Sequence, residues 1–407
     1  MKELRINGRR LQEQIAALGR IGALPGGGVC RLAFSPADKE ARDRIEDRMR
    51  HLGLEVHIDR IGNIAGVRRG EQPGPAVLAG SHIDTVGTAG LLDGSYGVLA
   101  ALEAVETLNE AGARTRKPLA VMAFVNEEGA RFMPDMMGSL IFRGDLSVED
   151  ARRITGIDGT TIGENIDRTG FAGPELPGAL PVHCYVELHI EQGPVLESEG
   201  RTIGVVEGVQ GILWLAYTLR GATAHAGTTP LEMRRDAAYV AAAVVHHARR
   251  LALEIEGQRA TVGAITLAPN LVNVVAEEAR VTVDLRNPDS GRLRMAAEKL
   301  HDLVLETARA ERVEVERQTR VNVPPVSFDP SIVETVEAAA AGLGYGSRRM
   351  LSGAGHDAQI MASVCPAGMI FVPSRGGLSH STREHTAPEN LEAGANVLLH
   401  TLLSLSR

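Results

Sequence analysis

A chain of 407 residues, 44% of them hydrophobic, is too long for one ordinary core and too apolar to stay disordered, which predicts two domains, one inserted in the other. A formal net charge of −8 gives no field for phosphate backbones, despite the local cluster Arg114, Arg116 and Lys117, so nucleic acid is excluded as a partner. Three widely spaced cysteines, Cys30, Cys184 and Cys365, predict free buried thiols in a reducing compartment. Neither an apolar leader in MKELRINGRRLQEQIAALG nor a later run of about 18 apolar residues occurs, so the expected location is cytoplasmic, with no membrane partner.

In chain order, apolar residues at helical spacing predict helices over 7–20 and 37–53, the second stopping at Gly53, where a left-handed cap costs little. Short apolar runs then alternate with longer helical ones: residues 54–67, PAVLAGSH, the helix GVLAALEAVETLNEAG, LAVMAFVNEE and YVELHIEQ. That alternation predicts βαβ units and an α/β sheet. From about residue 211 the texture changes. ILWLAYTLRG, a helix over 230–253, ATVGAITLAP, LVNVVAEEARVTVDLRNP, a helix over 290–310 and ERVEVERQTR follow the order β-α-β-β-α-β of a ferredoxin-like unit. VNVPPVSFDP, with two adjacent prolines, marks the return to the first texture: a helix, the glycine-rich SGAGHDA, the strand AGMIFVP and a final helix. The predicted division is 1–210 and 325–407 for the outer domain and 211–324 for the insert.

Four apolar runs deliver imidazole or carboxylate near their C-terminal ends: His82 and Asp84, Glu127 and Glu128, His189, and His380. In open α/β sheets ligands bind outside the carboxyl ends of the strands, so groups spread over about 300 residues can share one crevice. Imidazoles and carboxylates without a cysteine suit a hard to borderline divalent cation such as Zn2+, Mn2+ or Co2+. One ion would leave ligands over, and two need a carboxylate that spans them. Asp93 suits that place because Gly94 lets the backbone come close. Adjacent glutamates usually belong to a solvated face, but Glu127 and Glu128 end a strongly apolar run, where two buried carboxylates are costly without a cation. Of such a pair, one can ligate while its neighbour serves as general base.

The segments GSHIDTVGTAGLLDGSYGVLA, FVNEEGARF, ELHIEQGPVLE, GATAHAGTTPLEMRRD, PNLVNVVAEEARVTVDLRNPD, SGAGHDA and GLSH, in this order, resemble the hydantoinase/carbamoylase amidases, the N-carbamoyl-L-amino acid hydrolases and allantoate amidohydrolases of the dinuclear aminoacylase and carboxypeptidase superfamily. The resemblance spans nearly the whole chain. It implies a mixed-sheet dinuclear metallohydrolase domain with an inserted ferredoxin-like dimerisation domain, two divalent ions per subunit (Zn2+ or Mn2+, with Co2+ or Ni2+ as alternatives) and a homodimer. His82, Asp93 and His189 would hold one ion, and Asp93, Glu128 and His380 the other. GLSH selects His380 over His385. Glu127 would be the general base, and Asp84 would take the second N–H of His82 and fix its tautomer.

Substrate contacts are implied for Gln192, for Gln210 and Trp214 in GVQGILW, for Arg286 as the partner of an α-carboxylate, and for Gly355 and His356 in GAGHDA. His225 and Asn273 would reach the neighbouring subunit's site and stabilise an oxyanion. His189, where the peptidase branch has a carboxylate, points to ureido substrates. Trp214 offers an indole rather than a second guanidinium and favours a carbamoyl-L-amino acid over allantoate.

Overall fold

The computed structural model describes residues 4–407, which divide into two compact units: one formed by the chain up to Gly208 and by Ser327–Arg407, the other by Val209–Val326. The first unit is built on a nine-stranded mixed sheet. At its centre four strands run parallel, in the order Leu119–Phe124, Ala76–His82, Val182–Ile190 and Ala367–Val372. Antiparallel strands flank them, Ile64–Arg68 on one side and Ile203–Val209 on the other.

Ala76–His82, Leu119–Phe124 and Ala367–Val372 are buried at every position. Such continuous apolar runs form where helices cover a sheet on both faces. Helix Ser95–Glu110 packs on Ala76–His82, and helix Pro388–Leu405 packs on Ala367–Val372 and on the first helix. The register pairs His82 with Phe124 and His189 with Phe371, so the carboxyl ends of the parallel strands align along one edge.

The N-terminal helix is shorter than its periodicity predicts. It spans Gly8–Leu18, starting where the Asn7 side chain accepts the Arg10 N–H. The second runs Pro36–His51 with Ser35 as its cap. Gly53 follows at φ 75, in the left-handed region expected of it.

The second unit holds a four-stranded antiparallel sheet. In sequence order its strands are Gly211–Arg220, Arg259–Ala268, Glu278–Asn287 and Glu314–Val323; in space they run fourth, first, third, second. Helices Ala237–Glu254 and Ser290–Glu311 bury their apolar stripes on one face, against Leu213, Leu215, Leu219, Val281 and Leu285. This is the ferredoxin-like arrangement. Its first helix begins at Ala237 rather than at residue 230, because the Asp236 carboxylate accepts the Ala238 and Tyr239 N–H groups and so caps it there; Leu231–Met233 form only a 3-10 turn. The three cysteines are free thiols. Among the described residues no helix is long and apolar enough to cross a membrane.

Candidate active site

The aligned strand ends of the first unit carry the polar residues. His82 is the last residue of its strand, and its Nδ1 donates to the Asp84 backbone carbonyl at 3.0 Å. Its Nε2 is thereby turned toward Glu127 Oε2, 3.4 Å away, and Asp93 Oδ1, 3.8 Å away. His189, near the end of the adjacent strand, repeats the device: Nδ1 donates to the Ile190 carbonyl at 2.9 Å and Nε2 lies 3.2 Å from Asp93 Oδ1. Asp93 itself sits just before helix Ser95–Glu110, reached through Gly94 at φ 62. A Cβ at Gly94 would lie 2.4 Å from the His82 ring, so only glycine permits this approach.

Glu127 and Glu128 follow a sharp turn at Asn126, whose left-handed backbone (φ 50) is stabilised by its own amide donating to the Phe132 and Pro134 carbonyls. His380, also left-handed at φ 52, places Nε2 3.3 Å from Asp93 Oδ2 and 3.4 Å from Glu128 Oε2. Among the described residues three groups of three donors lie within 4.8 Å of one another; two of them, His82 with Asp93 and His189, and Asp93 with Glu128 and His380, are joined at Asp93, and the third, Glu187 with His189 and His356, shares His189. His385 is in none of them; its backbone carbonyl accepts the Arg375 N–H.

Protein groups alone leave this cluster short of positive charge. Burial, then Asp357 and Glu128, pushes the Glu127 carboxyl well above the usual carboxylate range; burial and Asp93 push Glu128 up to about 8. Burial would raise Asp93 too, but hydrogen bonds from His189 and His380 hold it well below its ordinary value. His82 is pushed down to about 4, chiefly by burial, and so presents a neutral ring with a free lone pair. Glu128 Oε1 is buried without a hydrogen-bond partner, as is Gln192 Oε1. Against the effect of burial, Asp93 in turn raises His189 and His380 to about 9, so in the bare protein protons on these two rings stand in for the missing positive charge. Carboxylate oxygens and imidazole nitrogens gathered this way are the donor set a divalent cation takes, and these residues fit one.

The Asp84 carboxylate does something other than expected. It stands 3.8 Å from His82 Nδ1, and its oxygens instead accept the backbone N–H groups of Glu127 (3.2 Å) and Glu128 (3.3 Å). Its carbonyl, not its carboxylate, sets the His82 tautomer, because the carboxylate is committed to the turn that carries both glutamates.

A cavity of about 160 Å³ opens over the cluster and is lined by Asp93, Glu127, Glu128, His189, Gln192, Gly355, His356 and His380, together with Asp135 and Met136. Gln192 donates to Asp93 Oδ2 at 3.0 Å. The His356 ring is buried against His189, with Nε2 2.9 Å from Ser352 Oγ. A larger, mostly apolar hollow of about 300 Å³ lies elsewhere, between strand Glu55–Ile58 and residues 175–181, and holds none of this chemistry.

Gln210, Trp214, His225, Asn273 and Arg286 belong to the second unit. Trp214 is 42% exposed, on the sheet face that the helices leave open. Arg286 is held by Asp284 two residues earlier on the same strand, with Nε 3.1 Å from each carboxylate oxygen and Nη2 2.8 Å from one. Exposed His225 accepts the Gly227 and Thr228 N–H groups at Nδ1, which leaves Nε2 as the ring's donor. His225 pairs with Val274 in a two-stranded ribbon, next to exposed Asn273. Gln210 is buried and its amide oxygen lacks a partner.

Sequence reasoning missed Ser379 and Glu384. The Ser379 hydroxyl lies 3.0 Å from Asp93 Oδ2 and 3.2 Å from Glu384 Oε2, and Glu384 accepts the Leu92 and Asp93 N–H groups. Within the polar string STREH, Glu384 reads as a solvated surface residue.

Residues 78–404 match the family model described as peptidase family M20/M25/M40. The chain is 39% identical to an N-carbamoyl-L-amino-acid amidohydrolase of Rhizobium meliloti, over 98% of this chain and 96% of that one. It is 35% identical to an allantoate amidohydrolase of Escherichia coli K12, over 97% of both. Among solved structures, a hydantoinase/carbamoylase family amidase from Burkholderia multivorans superposes with a TM-score of 0.97 at 42% identity, covering 99% of this chain and 98% of the other.

Proposed function

Because the chain belongs to peptidase family M20/M25/M40, and within it to the hydantoinase/carbamoylase amidases, we propose that it hydrolyses the ureido C–N bond of an N-carbamoyl-L-amino acid to the L-amino acid, ammonia and carbon dioxide. The observation that carries this reading is the pair of donor groups joined at Asp93, the His82, Asp93 and His189 group fully buried and the other opening to solvent at His380, with Glu127 alongside. Two divalent cations held by His82, Asp93 and His189 and by Asp93, Glu128 and His380 would polarise a carbonyl and lower the pKa of water.

Glu127 then acts as the base. It belongs to neither donor group although it lies 3.4 Å from His82 Nε2, it lines the cavity, and its burial favours taking up a proton. It accepts a proton from the attacking water, whose oxygen bonds to the ureido carbon, and hands that proton to the nitrogen that departs as the C–N bond breaks. The carbamic acid left behind falls to carbon dioxide and an amine. Asp84 keeps Glu127 and Glu128 in place through their backbone N–H groups. Gln192 offers its amide to the ureido group, and His356 and Gly355 close the wall behind it.

The second unit supplies recognition. Arg286, held in its fork by Asp284, pairs with the substrate's α-carboxylate, and Trp214 packs on an apolar side chain. A homodimer brings His225 Nε2 and Asn273 to the neighbouring subunit's developing oxyanion. Exposed Tyr239, Val245 and Leu253 on helix Ala237–Glu254, and the edge strand Arg259–Ala268, favour such pairing.

The test is ammonia release from N-carbamoyl-L-methionine, set against methionine release from N-acetyl-L-methionine and from a dipeptide. Ammonia from the first with no release from the others is expected; the reverse would make the chain an aminoacylase or peptidase. Allantoate in the same panel decides which ureido substrate is preferred. Full activity in a dilute monomer would remove the shared roles of His225 and Asn273.

A further inference from the structure

Residues 378–387 connect the turn Arg375–Gly377 to helix Pro388–Leu405 without regular structure, yet they carry His380. Backbone and hydroxyl bonds hold this segment mainly to its own surroundings: Arg375 N–H to the His385 carbonyl, Glu384 N–H to the Ser381 carbonyl, and Thr386 Oγ1 to the Pro373 carbonyl. The left-handed backbone of His380 is a conformation that persists only where surroundings impose it. One carboxylate of the segment reaches out to a distant loop. Glu384 Oε1 accepts the backbone N–H groups of Leu92 (2.9 Å) and Asp93 (3.3 Å), and Oε2 lies 3.2 Å from the Ser379 hydroxyl, the residue before His380. Gly90 makes room for it: a Cβ there would lie 2.2 Å from Glu384 Oε1.

The two sides of this link are not equally dependent on it. The Asp93 loop has further support, since Ser95 N–H donates to the Asp93 carbonyl and Tyr96 N–H to the Leu92 carbonyl, bonds that tie it into the start of helix Ser95–Glu110. Apart from its own contacts in the cluster, His380 is tied toward that loop through its neighbour Ser379, whose hydroxyl lies 3.0 Å from Asp93 Oδ2 and 3.3 Å from the Gln192 amide, a single side chain that Glu384 steadies from the other side. The geometry points to Glu384 as a positioning residue that clasps the His380 segment to the Asp93 loop, and through it governs cation binding at Asp93, Glu128 and His380 while leaving His82, Asp93 and His189 largely unaffected. This rests on reading the two donor groups as cation sites.

A clasp of this kind depends on reach and on acceptor atoms rather than on charge. Glu384→Gln keeps Oε1 for the two backbone N–H groups, and its Nε2 can donate to Ser379 Oγ, which leaves the hydroxyl proton for Asp93. Glu384→Asp keeps the charge but falls one methylene short. The experiment is calorimetric titration of each metal-stripped full-length variant with Zn2+ alone, with stoichiometry checked by elemental analysis and folding by circular dichroism.

Wild type should take two Zn2+. In Glu384→Ala and Glu384→Asp one should bind as before and the other roughly 10- to 100-fold more weakly, the range typical when a ligand's supporting partner is removed. Glu384→Gln should restore both. Two unaltered sites in the Ala and Asp variants would overturn the clasp, and so would a Gln variant as impaired as Ala, since charge would then be what matters. Should Ala fail to fold, the Asp and Gln pair still decides. A wild-type chain that binds a single Zn2+ would instead overturn the two-cation reading, and the clasp with it.

Discussion

Strand Ala76–His82 is buried at all seven positions, whereas strand Gly211–Arg220 alternates, with Leu213, Leu215, Tyr217 and Leu219 inward and Trp214 on the open side. The first pattern belongs to a sheet covered on both faces, the second to a sheet covered on one. The difference separates two kinds of polar residue. In the first unit, the charged side chains of the site come at strand ends or in the loops that follow them, mostly buried, where each must be matched by a partner or change its protonation: hence neutral His82, elevated Glu127 and depressed Asp93. In the second unit Trp214, Asp284, Arg286 and His225 stand partly or wholly in solvent, where they can meet an incoming molecule without a large electrostatic cost. A buried strand end suits bond breaking, and an open sheet face suits recognition.

That division can be broken most forcefully by removing divalent cations. Exhaustive chelation should abolish ammonia release from N-carbamoyl-L-methionine while leaving the far-ultraviolet circular dichroism unchanged, and Zn2+ or Mn2+ should restore it. Activity that survives would mean that the carboxylates of the first unit serve another purpose. Next in size, Glu127→Gln should lower kcat by about 10²- to 10⁴-fold if Glu127 is the base proposed above, with metal content unaltered; loss of metal instead would make Glu127 a ligand.

The core of the second unit offers a third measurement. Leu251, 1% exposed in the layer between helices and sheet, should cost about 2–5 kcal/mol when cut to alanine. If the two units melt separately in calorimetry, only the transition of the second should fall. The smallest effect sharpens the recognition half. Arg286→Ala should lower kcat/KM by roughly 10- to 100-fold, as for loss of a charged hydrogen-bonded contact, and chiefly through KM. The same variant should treat N-carbamoyl-L-methioninamide nearly as wild type does, because that compound lacks the carboxylate; equal losses on both would place the carboxylate elsewhere.

The sheet and the converging groups were legible because both follow from local patterns. Continuous apolar runs such as AVLAG and LAVMAF announce covered strands, and the rule that ligands gather at carboxyl ends predicts that His82, Glu127, Glu128 and His189 meet. What stayed hidden depends on distant backbone. Glu384 earns its place from two N–H groups about 290 residues earlier, and no periodicity records such a bond. Asp84 does take the second N–H of His82, but through its backbone carbonyl; that its carboxylate serves the glutamates is hidden in the sequence, since only the turn at Asn126 reveals that two N–H groups face its oxygens. The helix start at Ala237 was missed because Pro230 suits a first helical position and Leu231, Glu232, Met233 and Arg234 are good helix formers, while the Asp236 carboxylate decides where the first turn closes.

The bond between Asp284 and Arg286 joins residues two apart on one strand, so it lies along the pleat and is carried wherever that strand goes. Most of the rotational freedom of the long guanidinium side chain is therefore surrendered when the sheet forms, long before any ligand arrives. A molecule with a carboxylate would find an arm already stiffened, and its association would cost correspondingly less in lost side-chain motion.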